Sequence, residues 1–175
     1  PVMITILLPA VVFRAKAEEG GQAGAFLRRG INARALSLGR AFTAVADDPS
    51  AGYWNPAGLS QLGFPEITGT YSLLSMGRSY NNFSFSIPLN QDVLSVNGDY
   101  GTFGFTWINF SVGDIDGRDA DGFSNGTFSN SDNAYYFSYG YALQPNISVG
   151  LSFKYLSHTL AGFQSTGMGF DAGIL

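Results

Sequence analysis

Tyr135-Tyr136-Phe137-Ser138-Tyr139-Gly140-Tyr141-Ala142-Leu143-Gln144-Pro145-Asn146-Ile147-Ser148-Val149-Gly150-Leu151-Ser152-Phe153-Lys154-Tyr155 is the stretch that decides the fold. Odd positions on both sides of Gln144-Pro145-Asn146 are aromatic or aliphatic, and even positions are mostly small or polar. Side chains of a strand alternate between its two faces, so this period of two predicts a β-hairpin with one apolar face. A three-residue connection places Leu143 opposite Ile147, Tyr139 opposite Leu151 and Tyr135 opposite Tyr155.

The same period extends outward in both directions. Ile67, Tyr71 and Leu73 share one parity, as do Phe83, Phe85, Ile87 and Leu89, and then Phe103, Phe105 and Trp107. Ile108, Phe110 and Val112 then switch parity, which a β-bulge near Trp107 would explain. Met168, Phe170, Ala172 and Ile174 continue the alternation at the other end. About six strands are expected between Glu66 and Leu175. Strands of about ten residues are longer than those of ordinary globular sheets. The connection Gly113 to Asp132 reads as a long, acidic, solvated loop, against a tight turn at Gln144–Asn146. Short turns alternating with long loops mark outer-membrane barrels, although Ser75–Ser79 is short and Asn90–Tyr100 is long for that scheme.

Composition agrees with such a wall. Apolar residues make up 45% of the 175-residue chain and charged residues only 13%, half the usual share. Yet mean hydropathy is only +0.08, and no apolar run is long enough for a transmembrane helix. Alternation resolves this, because one face of each strand meets lipid and the other a polar lumen. The fold class expected is therefore all-β, an antiparallel transmembrane outer-membrane β-barrel of which about six strands are present. Six strands fall short of the smallest such barrels, so further strands are expected after Leu175. Cysteine is absent, and a net charge of −4 with no basic stripe excludes nucleic acid as a partner.

The ends read differently. Val2 to Phe13 is an apolar run followed by Ala15-Lys16-Ala17, which predicts a truncated signal peptide over 1–17 and export. Residues 18–63 are expected to form a compact plug, with a short helix over Ile31–Ala46 weakened by Gly39, and a stop at Asp47-Asp48-Pro49-Ser50. Residues 64–175 are the first part of the barrel.

Ala33-Arg34-Ala35-Leu36-Ser37-Leu38-Gly39-Arg40-Ala41-Phe42, Ala46-Asp47-Asp48-Pro49-Ser50-Ala51 and Trp54-Asn55-Pro56-Ala57-Gly58-Leu59 together resemble the N-terminal signature of PorV/PorQ-type proteins, which group with the FadL-like outer-membrane barrels. Gly150–Tyr155 and Gly169–Gly173 add weaker echoes. The resemblance implies about fourteen strands and a lumenal hatch containing Asn55, Pro56 and Ala57. It implies a location in the cell outer membrane. It also implies either transport of hydrophobic compounds such as fatty acids or, as in PorV-type members, assistance to protein secretion by the type IX route with an exported client. Arg40 departs from the pattern, standing where Gly or Met is more usual.

No catalytic constellation stands out, and neither an enzyme nor a cofactor is expected. His158 is the only histidine, and neighbouring Ser157 points to the opposite face. Asp114, Asp116, Asp119 and Asp121 crowd one loop, but Arg118 breaks the EF-hand spacing; the choices are a solvated loop or a weak divalent site bridging lipopolysaccharide. Lys154 and Asp171 fall on the small-residue face, which predicts a lumenal ion pair. Tyr53 and Trp54 either line a ligand path past the hatch or pack the plug to the wall. Trp107, Tyr80, Tyr135 and Tyr155 are expected in an interfacial aromatic girdle. An exported soluble β-sandwich with a structural or adhesive role is the competing reading.

Overall fold

The computed structural model describes residues 24–89 and 100–175. The signal-peptide reading over 1–17, the start of the plug and most of the Asn90–Tyr100 connection lie outside the described residues. The chain forms one antiparallel sheet of six strands in sequential order. These are β1 (Glu66–Leu74), β2 (Arg78–Pro88), β3 (Thr102–Arg118), β4 (Ser124–Gln144), β5 (Ile147–Leu160) and β6 (Phe163–Ile174). Before them runs a helical segment. It holds a 3-10 helix at Ala25–Arg29, α1 (Ala33–Ser37), α2 (Ala51–Trp54) and a second 3-10 helix at Pro56–Gln61. No helix among the described residues is long and apolar enough to cross a membrane.

The segment is held by its own polar contacts. The Asn32 side chain accepts from Arg34 N and starts α1, while its Nδ2 donates 2.8 Å to Asp48. Asp48 in turn accepts from Ser50 N at 2.8 Å. The single helix expected over Ile31–Ala46 is not formed. Gly39 and Arg40 have φ of 64° and 69°, a left-handed pair that ends α1 after one turn. Arg40 keeps this conformation while its guanidinium donates 2.8 Å to the Arg28 carbonyl.

The segment covers one face of the sheet. Even-numbered residues of β2 to β5 point toward it, and odd-numbered residues point away. This corrects the bulge expected near Trp107. Register runs unbroken from Phe103 to Val112 against both neighbouring strands. The parity switch has another cause. Ile108 faces the segment and is fully buried with Ile31, Tyr80, Ala134 and Tyr136, so the covered face itself turns apolar at that level. Tyr80 belongs to that cluster and is only 3% exposed, so it is not in an outward girdle. The sheet's irregularities lie elsewhere, between Val112 and Ile115 and between Gly117 and Arg118.

Two further expectations change. The loop read over Gly113–Asp132 is mostly a hairpin. Ile115 pairs with Phe128 and Asp116 with Thr127, and only 119–123 turn. Asn and Ser side chains that look loop-like in sequence are carried here by a ladder whose backbone bonds do not depend on side-chain type. The β4–β5 connection is one residue tighter than expected. Tyr135 opposes Tyr155 and Tyr139 opposes Leu151, but Gln144 rather than Leu143 pairs with Ile147 across a local shift.

A second, smaller core lies within the segment itself, where Phe42, Ala46, Ala51 and Leu59 are fully buried. Full burial of one aliphatic side chain contributes about 1.5–3 kcal/mol, so Ile31 and Ile108 both help to hold the segment on the sheet. Ile108→Ala is therefore expected to cost about 2–4 kcal/mol in equilibrium denaturation of the full-length protein. A change indistinguishable from that of Phe105→Ala, on the uncovered face, would contradict this packing.

Candidate functional site

The segment is seated where the covered face has almost no side chains. Gly140 of β4 pairs with Gly150 of β5, and Gly150 pairs with Gly173 of β6. Three glycines thus stand in one row across adjacent strands, and the backbone of Asn55-Pro56-Ala57 lies directly on them. A Cβ on Gly140 would approach the Pro56 carbonyl oxygen to 2.6 Å and Leu59 Cβ to 2.9 Å. One on Gly150 would overlap the Pro56–Ala57 peptide, and one on Gly173 the Asn55 side chain. Such separations are closed to any residue with a Cβ.

Polar bonds fix the seat. Asn55 Nδ2 donates 3.1 Å to the Ile174 carbonyl and 3.0 Å to the Thr43 carbonyl, while Asn55 Oδ1 accepts from Ala57 N. One side chain therefore ties β6, the middle of the segment and the second 3-10 helix together. In the next row, the Ser152 hydroxyl donates 2.8 Å to the Gly52 carbonyl, and the Ser138 hydroxyl, 3.3 Å from that carbonyl, lies 2.7 Å from Ser152 Oγ and can donate to it. That carbonyl is buried, so these hydroxyls satisfy an acceptor that water would otherwise have to reach.

Beside the seat opens a cleft of about 700 Å3, bounded by the segment, β5 and edge strand β6. Tyr53, Trp54, Asn55 and Pro56 line it, together with Lys154 and Asp171. Ala57 is fully buried against the sheet and does not. Lys154 Nζ lies 2.7 and 2.9 Å from the two Asp171 oxygens. The two residues stand on adjacent same-face rungs, Lys154 opposite Gly169 and Asp171 opposite Ser152. Tyr53 and Trp54 do both things considered for them. Their rings meet edge to face at 4.9 Å, Tyr53 packs on Tyr136 at 5.7 Å, and both face the cleft. The Tyr53 hydroxyl donates to the Leu27 carbonyl, and burial pushes its pKa up. On the segment's outer surface, the Arg34 guanidinium bonded to Asp47 holds that carboxyl below the usual carboxylate range.

The acidic cluster is not gathered into a site. Asp116 accepts from Arg118 and Ser124, Asp119 caps Asp121 N and Phe123 N, and Asp114 sits in the strand irregularity at φ 51°. Among the described residues no group of His, Cys, Asp or Glu is assembled to hold a metal ion. His158 is bonded through Nδ1 to Asp132, directly opposite it on β4. Sequence reading missed this pair by looking along the strand to Ser157. The register that sets Tyr135 opposite Tyr155 already sets Asp132 opposite His158.

No protein-family model matches the chain, and no curated protein or solved structure matches it. The arrangement must therefore be read from its own chemistry. It is a backbone-on-backbone seat with an amphipathic cleft beside it.

Gly150→Val is expected to unseat the segment. Overpacking of this kind costs about 1–3 kcal/mol or more. Limited proteolysis of the folded full-length protein should then cut within 24–63 while the strands stay protected. Equal protection in wild type and variant would refute the seat.

Proposed function

We propose that this sheet is part of the wall of an outer-membrane β-barrel, with the helical segment as its lumenal hatch, and that the protein passes hydrophobic compounds across the outer membrane. One observation carries the reading. Every side chain on the uncovered face is uncharged, from Ile67–Leu73 through Ser79–Ile87, Phe103–Ser111, Ser131–Leu143 and Ile147–Thr159 to Gln164–Ile174. The charged side chains in or next to these spans, Glu66, Arg78, Asp132, Lys154 and Asp171, together with His158, fall on the covered face. A sheet facing water has no reason to sort its charges this way. A sheet facing hydrocarbon does, because a charge at the bilayer midplane costs about 2–4 kcal/mol.

The apolar surface supports the same reading. Ile67, Phe85, Phe105, Phe137, Phe153 and Phe170 form one row across all six strands, with Phe105–Phe137 and Phe153–Phe170 ring centroids at 5.3 Å. Phe170 is 80% exposed and Leu151 66%, with nothing among the described residues to cover them. From Ile147 to Tyr155 every outward residue of β5 is apolar. Nine residues at about 3.3 Å each, tilted by about 40°, span about 23 Å, close to the apolar band of such barrels. Trp107, Tyr135 and Tyr155 mark one border of that band, where a girdle belongs.

The cleft beside the hatch, with Leu27, Tyr53, Trp54 and Leu156 on its walls, supports passage of an apolar molecule. The long β3–β4 hairpin is the feature that favours the second reading, a secretion barrel holding an exported client. A soluble sandwich would need a second sheet over the uncovered face.

Extracted in mild detergent, the full-length protein should migrate differently in SDS gels with and without boiling. Phe153→Arg should lower its folding stability in lipid vesicles by about 2–4 kcal/mol, and Thr159→Arg by about 1 or less. Equal effects at the two positions, or no heat-dependent shift, would sink the membrane reading.

A further inference from the structure

Beyond the aromatic border the uncovered face does not return to ordinary protein surface. The next row across the strands is Tyr71, Asn81, Asn109, Asn133, Ser157 and Thr166. The row after it is Leu73, Ser79, Ser111, Ser131, Thr159 and Gln164. Neither row holds an ionisable carboxylate, ammonium, guanidinium or imidazole. At the same height on the covered face stand Arg78, Asp132 and His158. Hydrated protein surface is rich in Lys, Glu, Asp and Arg, so two full rows without one are a compositional choice.

The belt is also organised. Asn109 Nδ2 donates 3.0 Å to Asn133 Oδ1, which also accepts 3.1 Å from Trp107 Nε1. Ser79 and Ser111 share a hydroxyl bond of 2.8 Å. Asn81 Oδ1 is buried and has no partner within the described residues. Amides and hydroxyls are therefore held in fixed positions, and Trp107, Tyr135 and Tyr155 form an aromatic ledge directly beneath.

We propose that this belt binds the uncharged saccharide headgroup of a glycolipid whose acyl chains lie on the apolar band below. Sugar hydroxyls are both donors and acceptors, so a fixed amide and hydroxyl lattice matches them, and aromatic faces suit the apolar faces of a sugar ring. The absence of cations argues against a phosphate-bearing headgroup, which would draw on Arg or Lys. The long β3–β4 hairpin rises from the same end, the side on which outer-membrane barrels carry their longer loops. The inference rests on the membrane reading above.

The test uses the full-length protein in nanodiscs of phosphatidylethanolamine, with and without a monoglucosyl diacylglycerol of the same acyl chains. Lipids retained after mild release are counted by native mass spectrometry. One net hydrogen bond is worth about fivefold in occupancy, so the glucolipid should be retained about fivefold above its share of the disc. Asn109→Leu should abolish that enrichment, and Ser131→Ala should reduce it in a variant whose fold is less at risk. Heat-dependent gel migration confirms insertion in each case. Retention in proportion to disc composition, equal enrichment in both variants, or preference for an anionic phospholipid overturns the inference with the membrane reading intact. Failure to insert at all overturns both.

Discussion

Everything on the covered side depends on how closely two backbones can approach. Asn55-Pro56-Ala57 reaches the sheet at Gly140, Gly150 and Gly173 because those positions lack a Cβ. A strand interior loses stability at each glycine, through entropy and through lost side-chain packing. Three of them in one row across three strands make sense only if something occupies the space. The occupants are the Pro56–Ala57 main chain and the Asn55 side chain, which donates to the Ile174 and Thr43 carbonyls at once. With that seat fixed, α2 falls beside Ser138 and Ser152, and the cleft opens where the segment no longer touches β5 and β6.

The two faces of the sheet are built by different rules. The covered face is graded along the strands. Glycines lie under the seat, serines and threonines come next, and then an apolar patch at Ile108, Ala134 and Tyr136 receives Ile31. The charges also lie on this face, Lys154–Asp171 level with Tyr136 and Ser152, and His158–Asp132 beyond the patch. The uncovered face is simpler, with apolar rows, then Trp107 and the two tyrosines, then amides and hydroxyls. Its order is that of a hydrocarbon layer giving way to a polar interface. The membrane reading follows from this contrast more than from hydrophobicity, since a mean hydropathy of +0.08 is unremarkable.

Much of the wall was legible because strand geometry converts sequence parity directly into faces. The hairpin around Pro145 carried its own register, and with it the Tyr135–Tyr155 pairing, while the alternation from Met168 to Ile174 put Asp171 on the small-residue face with Lys154. Reading failed where a single rule was applied locally. The parity switch at Ile108 looked like a bulge because apolar residues were assumed to share one face, yet the other face becomes apolar wherever the segment presses on it. The Asn- and Ser-rich stretch after Gly113 looked like a loop because its side chains disfavour strands, whereas the ladder there is held by backbone bonds. The helix expected over Ile31–Ala46 ended early because Gly39, which the sequence marks as a weak point, and Arg40, a residue with no turn signature, both adopt a left-handed φ.

By itself, then, the sequence determined roughly how many strands the described residues form, their antiparallel order, and the sorting of apolar from small and polar residues. A period of two is a local property, and every strand that obeys it declares its faces without reference to the others. Only the tertiary structure decided which distant groups meet: Asn55 with the Ile174 carbonyl, the Gly52 carbonyl with Ser138 and Ser152, Ile31 with Ile108. Those contacts depend on the path an irregular segment takes over the sheet. That path is set by where backbone can approach backbone, a condition that has no period and leaves no pattern within any one strand.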